Sequence, residues 1–377
     1  MRTSGRVAKT NRPLRPGATR DQGLRPLELG VVAAHGLDRR ATQHDALVVQ
    51  PAEQSAGGIS HSQTIGSGPM TKVRGYLSKL PGMRRAYRSL RILADAARSP
   101  FLRYAPPGHY YSCIPNMKEV MARADVLFKR DVKACPGVDL RESEQLQLLE
   151  CMAGYYDELP FRADRTGGAR YYYPNGFFGI GDAIVLYSVF RHFRPKRVIE
   201  IGSGFSSAAM LDTSERFLGG SVHFTFIEPF ADRLLELLRP QDWETQTIIS
   251  RPVQEVPLAV FHALERGDVL FIDSSHVLKI GSDVQHIIFN ILPAINPGVL
   301  VHFHDVHWPF EYRRETILKG KTWNEAYAVR AFLQFNHSFE ILYFGPFMAE
   351  FHGDLVRAKL PLAFRDPGVS LWIRRGA

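Results

Sequence analysis

Residues 198–207 read Val-Ile-Glu-Ile-Gly-Ser-Gly-Phe-Ser-Ser: a short apolar run that carries an acid, then two glycines, then residues that open a helix. A strand yielding to a tight turn and a helix is the first half of a βαβ unit. The same alternation recurs downstream. Strand-like runs stand at VHFTFIE 222–228, TIIS 247–250, DVLFID 268–273, GVLVHFH 298–304, FEILYF 339–344 and VSLWIR 369–374, with helices expected from about Ser206, Ala231, Ser282 and Asn324. Near-continuous Val/Ile/Leu/Phe strands separated by helices mean a mostly parallel sheet covered on both faces. The expected class is α/β, with the last two strands closing an antiparallel edge.

Outward from this core the chain changes character. Its 377 residues are 45% hydrophobic and 23% charged, which is globular usage. The net charge of +9 is uneven: residues 1–69 hold nine Arg/Lys against five Asp/Glu, and residues 70–100 hold eight against one, so the remainder sums to 9 − 4 − 7 = −2. A near-neutral main domain carries no nucleic-acid signature. Residues 1–69, rich in Arg, Gly, Pro, Gln and Ser without sustained periodicity, are expected to be disordered or a non-native extension ahead of a start at Met70. Residues 70–168 form a basic helical region, in which Lys72–Arg98 interleaves arginines with Val73, Leu77, Leu80, Tyr87, Leu90 and Leu93. The expectation is a helical arm packed on the main domain with its arginines solvated; the alternative is peripheral contact with an anionic membrane. A helix is expected at 141–159. Cys113, Cys135 and Cys151 form no CxxC pair, and the apolar stretch 286–303 is broken by prolines, asparagines and a glycine, so a reducing, cytoplasmic setting without a membrane span is expected.

In an open α/β sheet, ligands bind beyond the carboxyl ends of the strands. Gly202 and Gly204 permit a close backbone approach, and the helix after them offers free N–H groups to a nucleotide-like ligand. Glu200, just before the turn, is placed to hold a cationic or amine-bearing group. Glu228 ends the second strand 26 residues after Gly202, near the interval at which an acid meets ribose hydroxyls. A dinucleotide fingerprint asks for a third glycine or alanine where Ser207 stands, which weakens a nicotinamide-dependent oxidoreductase, the second functional reading. A third is a non-catalytic cofactor-binding or membrane-associated protein.

With Phe226-Ile-Glu-Pro229, Val269-Leu-Phe-Ile-Asp-Ser-Ser-His276 and Asn296-Pro-Gly-Val-Leu-Val-His-Phe-His-Asp305 added, the set resembles a class I S-adenosylmethionine (SAM) dependent methyltransferase, of the bacterial small-molecule O-methyltransferase-like branch. The resemblance spans roughly residues 170–375, within a domain bounded at 169–377. It implies a Rossmann-like, seven-stranded sheet and SAM as cofactor. It places Gly202, Ser203 and Gly204 along the amino-acid part of SAM with Glu200 nearby, Glu228 on the ribose, Gln254 and Glu255 toward the adenine, and Phe177 and Asp182 in a lid-like segment before the first strand. Asn296-Pro-Gly-Val299 lacks the second glycine usual in that turn.

Methyl transfer to a hydroxyl needs an aligned acceptor and a proton acceptor. Asp273, His276, His304 and Asp305 all fall at strand ends and are expected to face one cleft. His304 is the first candidate base and His276 the second, because imidazole titrates near neutrality; Asp273 would orient either ring or the acceptor. His302 is as readily a core residue, and His307 a surface one. Likeness to catechol-type relatives raises a divalent cation on Asp273 and Asp305, joined by His304 or His276, disfavoured because Val306 replaces the third oxygen ligand. The acceptor is expected to be a small molecule or sugar, with Tyr171–Tyr173, Phe177, Phe178, Trp308, Tyr312 and Trp323 as candidate walls.

Overall fold

The computed structural model describes residues 83–376; the expectations for residues 1–82 lie outside the described residues. The described chain opens on α1 (Met83–Arg98). Its Leu90 and Leu93 are 65% and 64% exposed, so the apolar stripe of this helix is not packed down as the arm reading expects. Next comes α2 (Glu142–Ala153), whose Leu148, Leu149 and Met152 enter the core. Buried Gln145 donates Nε2 to the Leu140 carbonyl at 2.6 Å and accepts the Phe344 N–H at 2.8 Å, tying α2 to a strand about two hundred residues later. Sequence reading assigned this helix to the region preceding the sheet domain; it packs on the sheet.

Then follow α3 (Ile180–Phe193), β1 (Arg197–Ile201), α4 (Phe205–Phe217), β2 (His223–Ile227), α5 (Asp232–Leu237), β3 (Thr247–Ile249), β4 (Val269–Ile272), β5 (Leu300–Phe303), α6 (Glu325–Leu333), β6 (Phe339–Phe344) and β7 (Leu371–Arg375). The seven strands lie in the order β3-β2-β1-β4-β5-β7-β6. Five run parallel, and β7 pairs antiparallel with both β5 and β6. The last two strands thus close an antiparallel edge as expected, with β7 lying inside β6, which is outermost. The long connection 345–370 permits this, and it buries β7, with Trp372 and Ile373 wholly enclosed.

Residues of β4 and β5 are buried throughout, which is why they read as unbroken apolar runs rather than alternating ones. His302 sits among them, its ring stacked on Phe271 at 3.8 Å, and burial keeps it neutral. Each large side chain so enclosed contributes roughly 1.5–3 kcal/mol. Helix α3 is buried from Ile180 to Phe190, an apolar layer that fixes the aromatic loop before it. Among the described residues no helix is long and apolar enough to cross a membrane.

Candidate functional site

Three chambers lie side by side beyond the carboxyl ends of the strands. The first, about 470 Å³, runs between the end of β2 and the loop after β4, with Gln254, Phe230 and Ser282 in its wall. The second, about 350 Å³, lies over the 202–206 turn and includes Arg233, His276, Lys321 and Trp323. They share Gly202, Glu228, Asp273 and Ser274. The third, about 310 Å³, lies toward Tyr173, Asp182, Arg313 and Asp366, and shares Gly176, Phe177, His304 and Asp305 with the second.

The turn after β1 is built by its neighbours. Gly202 has φ +81°, and a Cβ there would lie 1.9 Å from the Asp273 carbonyl oxygen, so only glycine lets β1 and β4 end this close together. Glu228 lies at the junction of the first two chambers. Its Oε2 accepts the Ser203 N–H at 3.2 Å and its Oε1 the Phe230 N–H at 2.8 Å. The carboxylate is thus fixed in place while remaining half-exposed to the cavity.

Glu200 departs from expectation. It is wholly buried, lines none of the three chambers, and accepts hydrogen bonds from Ser206 Oγ at 2.5 Å and from Ser207 Oγ. Burial pushes its carboxyl up to about 8, against the pull of those hydroxyls, so it is mostly protonated at neutral pH. A group in that state and position braces the turn; it does not grip a cation in the cavity. Ser207, where a dinucleotide fingerprint would have its third glycine or alanine, also accepts the Gly204 N–H at 2.9 Å.

Asp182 also differs. Its Oδ1 accepts the Val369 N–H at 2.9 Å and the Ser370 hydroxyl, and the residue lines only the third chamber, away from Glu228. Gln254 is in the first chamber as expected, its Nε2 donating to the Gly281 carbonyl at 2.8 Å, whereas Glu255 is exposed outside it. Phe177 stacks on Phe205 at 5.8 Å and carries the Arg233 guanidinium over its ring at 3.8 Å, forming a wall common to the second and third chambers.

Asp273, His276, His304 and Asp305 do share one cleft. His304 lies at the junction of the second and third chambers. Burial works to lower its pKa, but Asp273, Asp182 and Asp305 overcome this and raise it. Its Nδ1 has no partner. His276 has another character. Its Nδ1 lies 2.8 Å from Glu325 Oε2, and its Nε2 lies 3.4 Å from Asp273 Oδ1 and 3.5 Å from Asp305 Oδ2. Burial opposes the charge, but the facing carboxylates of Asp273 and Glu325 win, and the ring is pushed up to about 10. A ring that holds its proton this firmly is a donor, so His276 is displaced as a candidate base. Asp273 answers in kind: burial would raise it, yet His304, His276 and Arg233 hold it below the usual carboxylate range. His307 is 5% exposed rather than on the surface, and burial together with Arg313 and Arg130 takes it down to about 3.

Sequence reading missed Glu325, Arg233, Lys321 and Arg313. Glu325 reads there as an ordinary acid in the first turn of a helix, and nothing local ties it to His276.

Residues 199–306 match the family described as a methyltransferase domain. An uncharacterized protein of Archaeoglobus fulgidus is 38% identical over 167 residues, covering 43% of this chain and 74% of that one. Solved structures to which the chain shows a likeness include one described as a putative O-methyltransferase from Klebsiella pneumoniae (15% identity, 62% of this chain and 90% of that one, TM-score 0.35). Another is the O-methyltransferase TomG from Streptomyces achromogenes in complex with SAM (14%, 69% and 96%, TM-score 0.32). Residues 199–306 therefore carry a methyltransferase domain.

Proposed function

We propose that this methyltransferase acts on a hydroxyl of a small molecule or sugar, with the cofactor lying across the first two chambers and the acceptor entering through the third. One observation carries this reading: the chambers share walls in sequence, with Glu228 at one junction and His304 at the other. The chain's residues fit an adenosyl cofactor. Glu228 presents a fixed acceptor pair suited to a ribose diol, and the Gly202 turn brings backbone close beside it. Bound there, SAM would supply an electrophilic methyl on a sulfonium to an acceptor hydroxyl.

The protein's part is alignment and the proton. Phe177 and Trp323 wall the second chamber. His304, the imidazole that lines both the second and the third chamber, takes the hydroxyl proton. Against the effect of burial, the carboxylates of Asp273, Asp182 and Asp305 around the ring raise its affinity for that proton. Calorimetry with SAM and S-adenosylhomocysteine on the full chain is the first test: well-folded protein that binds neither would defeat the proposal. Label transfer from methyl-labelled SAM to hydroxyl-bearing sugars and phenols then tests the acceptor class.

A further inference from the structure

Likeness to catechol-type relatives raises a resident divalent cation on Asp273 and Asp305, and the chain's residues do not fit one. A hard cation draws several oxygens to within about 2.0–2.6 Å of one point. Here Val306, fully buried, supplies no third oxygen, and the His276 ring already lies between the two carboxylates, with its Nε2 at 3.4 and 3.5 Å from them. Among the described residues no group of three or more His, Cys, Asp or Glu side chains is arranged to hold a metal ion.

The ring is locked where it stands. Its Nδ1 meets Glu325, 2% exposed, at 2.8 Å, and Glu325 Oε1 in turn accepts the Ser274 hydroxyl at 2.9 Å. The His276 backbone has φ +60°, an uncommon conformation for a side-chain-bearing residue. Its carbonyl accepts the N–H groups of Asn324 at 3.0 Å and Glu325 at 3.2 Å, so the loop after β4 caps the start of α6. Asn324 clasps Leu278 from the other side at 2.6 and 3.2 Å, and Trp323 covers the ring at 4.5 Å. Both ring nitrogens face carboxylate oxygens, which only accept, so both nitrogens donate.

We propose that His276, held by Glu325, fills the place between Asp273 and Asp305 as a built-in cation, and that Glu325 is the positioning residue keeping it there. The methyltransferase reading bears only on what the cation does: a fixed positive charge beside the acceptor favours the ionised hydroxyl, the work a metal ion does in other sites. Its position depends on geometry alone.

The test uses Mn²⁺ as the probe, followed by electron paramagnetic resonance on the full chain. The unmodified protein is expected to take up none at millimolar metal, and His276→Gly, which suits the positive φ, is expected to bind it in the vacated gap. Uptake by the unmodified protein, or none by a folded variant, overturns the proposal. Nitrogen-15 spectra give a second arm that survives if His276→Gly fails to fold. At about pH 8 the His276 ring should carry both protons, and Glu325→Gln should leave it neutral. An unchanged ring in Glu325→Gln removes Glu325 from the role. With an acceptor in hand, that variant should lose roughly 10–100-fold in turnover at unchanged SAM affinity, as loss of supporting contacts commonly does. Failure to bind SAM defeats the functional reading and leaves the Mn²⁺ and spectral results standing, so the two can fail separately.

Discussion

Arg170 and His276 are both buried and each faces three carboxylates, and they are used in opposite ways. Arg170, at the head of the aromatic loop, meets Asp212 at 2.9 Å, Asp242 at 2.7 Å and Glu215 closer still. Asp212 Oδ2 also accepts the backbone N–H groups of Arg170 and Tyr171. Every contact is made at hydrogen-bond length, and Asp212 and Asp242 are closed to solvent. The cluster is saturated and pins the loop to α4. His276 meets only Glu325 at such a distance; Asp273 and Asp305 stand off at 3.4 and 3.5 Å, with side chains 33% and 26% exposed. That second cluster is held at its back and open at its front, so its carboxylates keep capacity for a ligand. Buried charge in a satisfied network is scaffolding; buried charge left partly unsatisfied beside a cavity is equipment.

Mutations separate the two. Arg170→Met strips compensation from two buried carboxylates and should cost about 3–5 kcal/mol in chemical denaturation, while SAM affinity of the folded fraction stays unchanged. A small loss would remove the distinction. Glu228→Ala should act in reverse, weakening SAM binding by about 2 kcal/mol, roughly thirty-fold in calorimetry, with little effect on stability. Asp305→Asn, on the open side of the His276 cluster, should change stability by about 1 kcal/mol or less.

The pH dependence sharpens the contrast. Arg170 is held above its already high ordinary value and does not titrate in the accessible range. His276, facing Glu325, Asp273 and Asp305 with His304 near Asp273, has a folded-state pKa of about 10 against an ordinary 6.5. Its contribution is fully present below about 6.5 and fades as pH rises through 10. Thermal melts should show an alkaline loss of stability that is missing in His276→Gly. Glu200 gives the smallest signal. Its carboxyl is raised from 4.5 to about 8, so stability present below 4.5 is lost as pH climbs toward 8. Glu200→Gln should flatten that slope, and an unaltered profile would place the titrating group elsewhere.

How far the residues spoke for themselves varies by position. Glu228 was legible because a strand-terminal acid one βα unit after a glycine turn has few other places to go. Glu200 was legible as important but not as to direction: it lies on a strand buried on both faces, and only the packing of α4 shows that its carboxyl meets Ser206 and Ser207 rather than the cavity. Strand-end logic placed His304, Asp273 and His276 in one cleft. It did not show that the His276 ring meets Glu325, which is 49 positions away. Arg170 and its three carboxylates went unread, since each partner alone is an ordinary surface-type residue.

Sequence by itself determined the parallel core, the glycine turn and the acid that follows it, because these rest on local propensity and on spacing along one strand–turn–helix unit. Tertiary structure alone decided that β7 enters the sheet, that Glu200 faces inward, and that a histidine lies between Asp273 and Asp305. Those outcomes depend on which distant segments are brought within a few ångströms, and only there do burial and charge fix what a side chain can do.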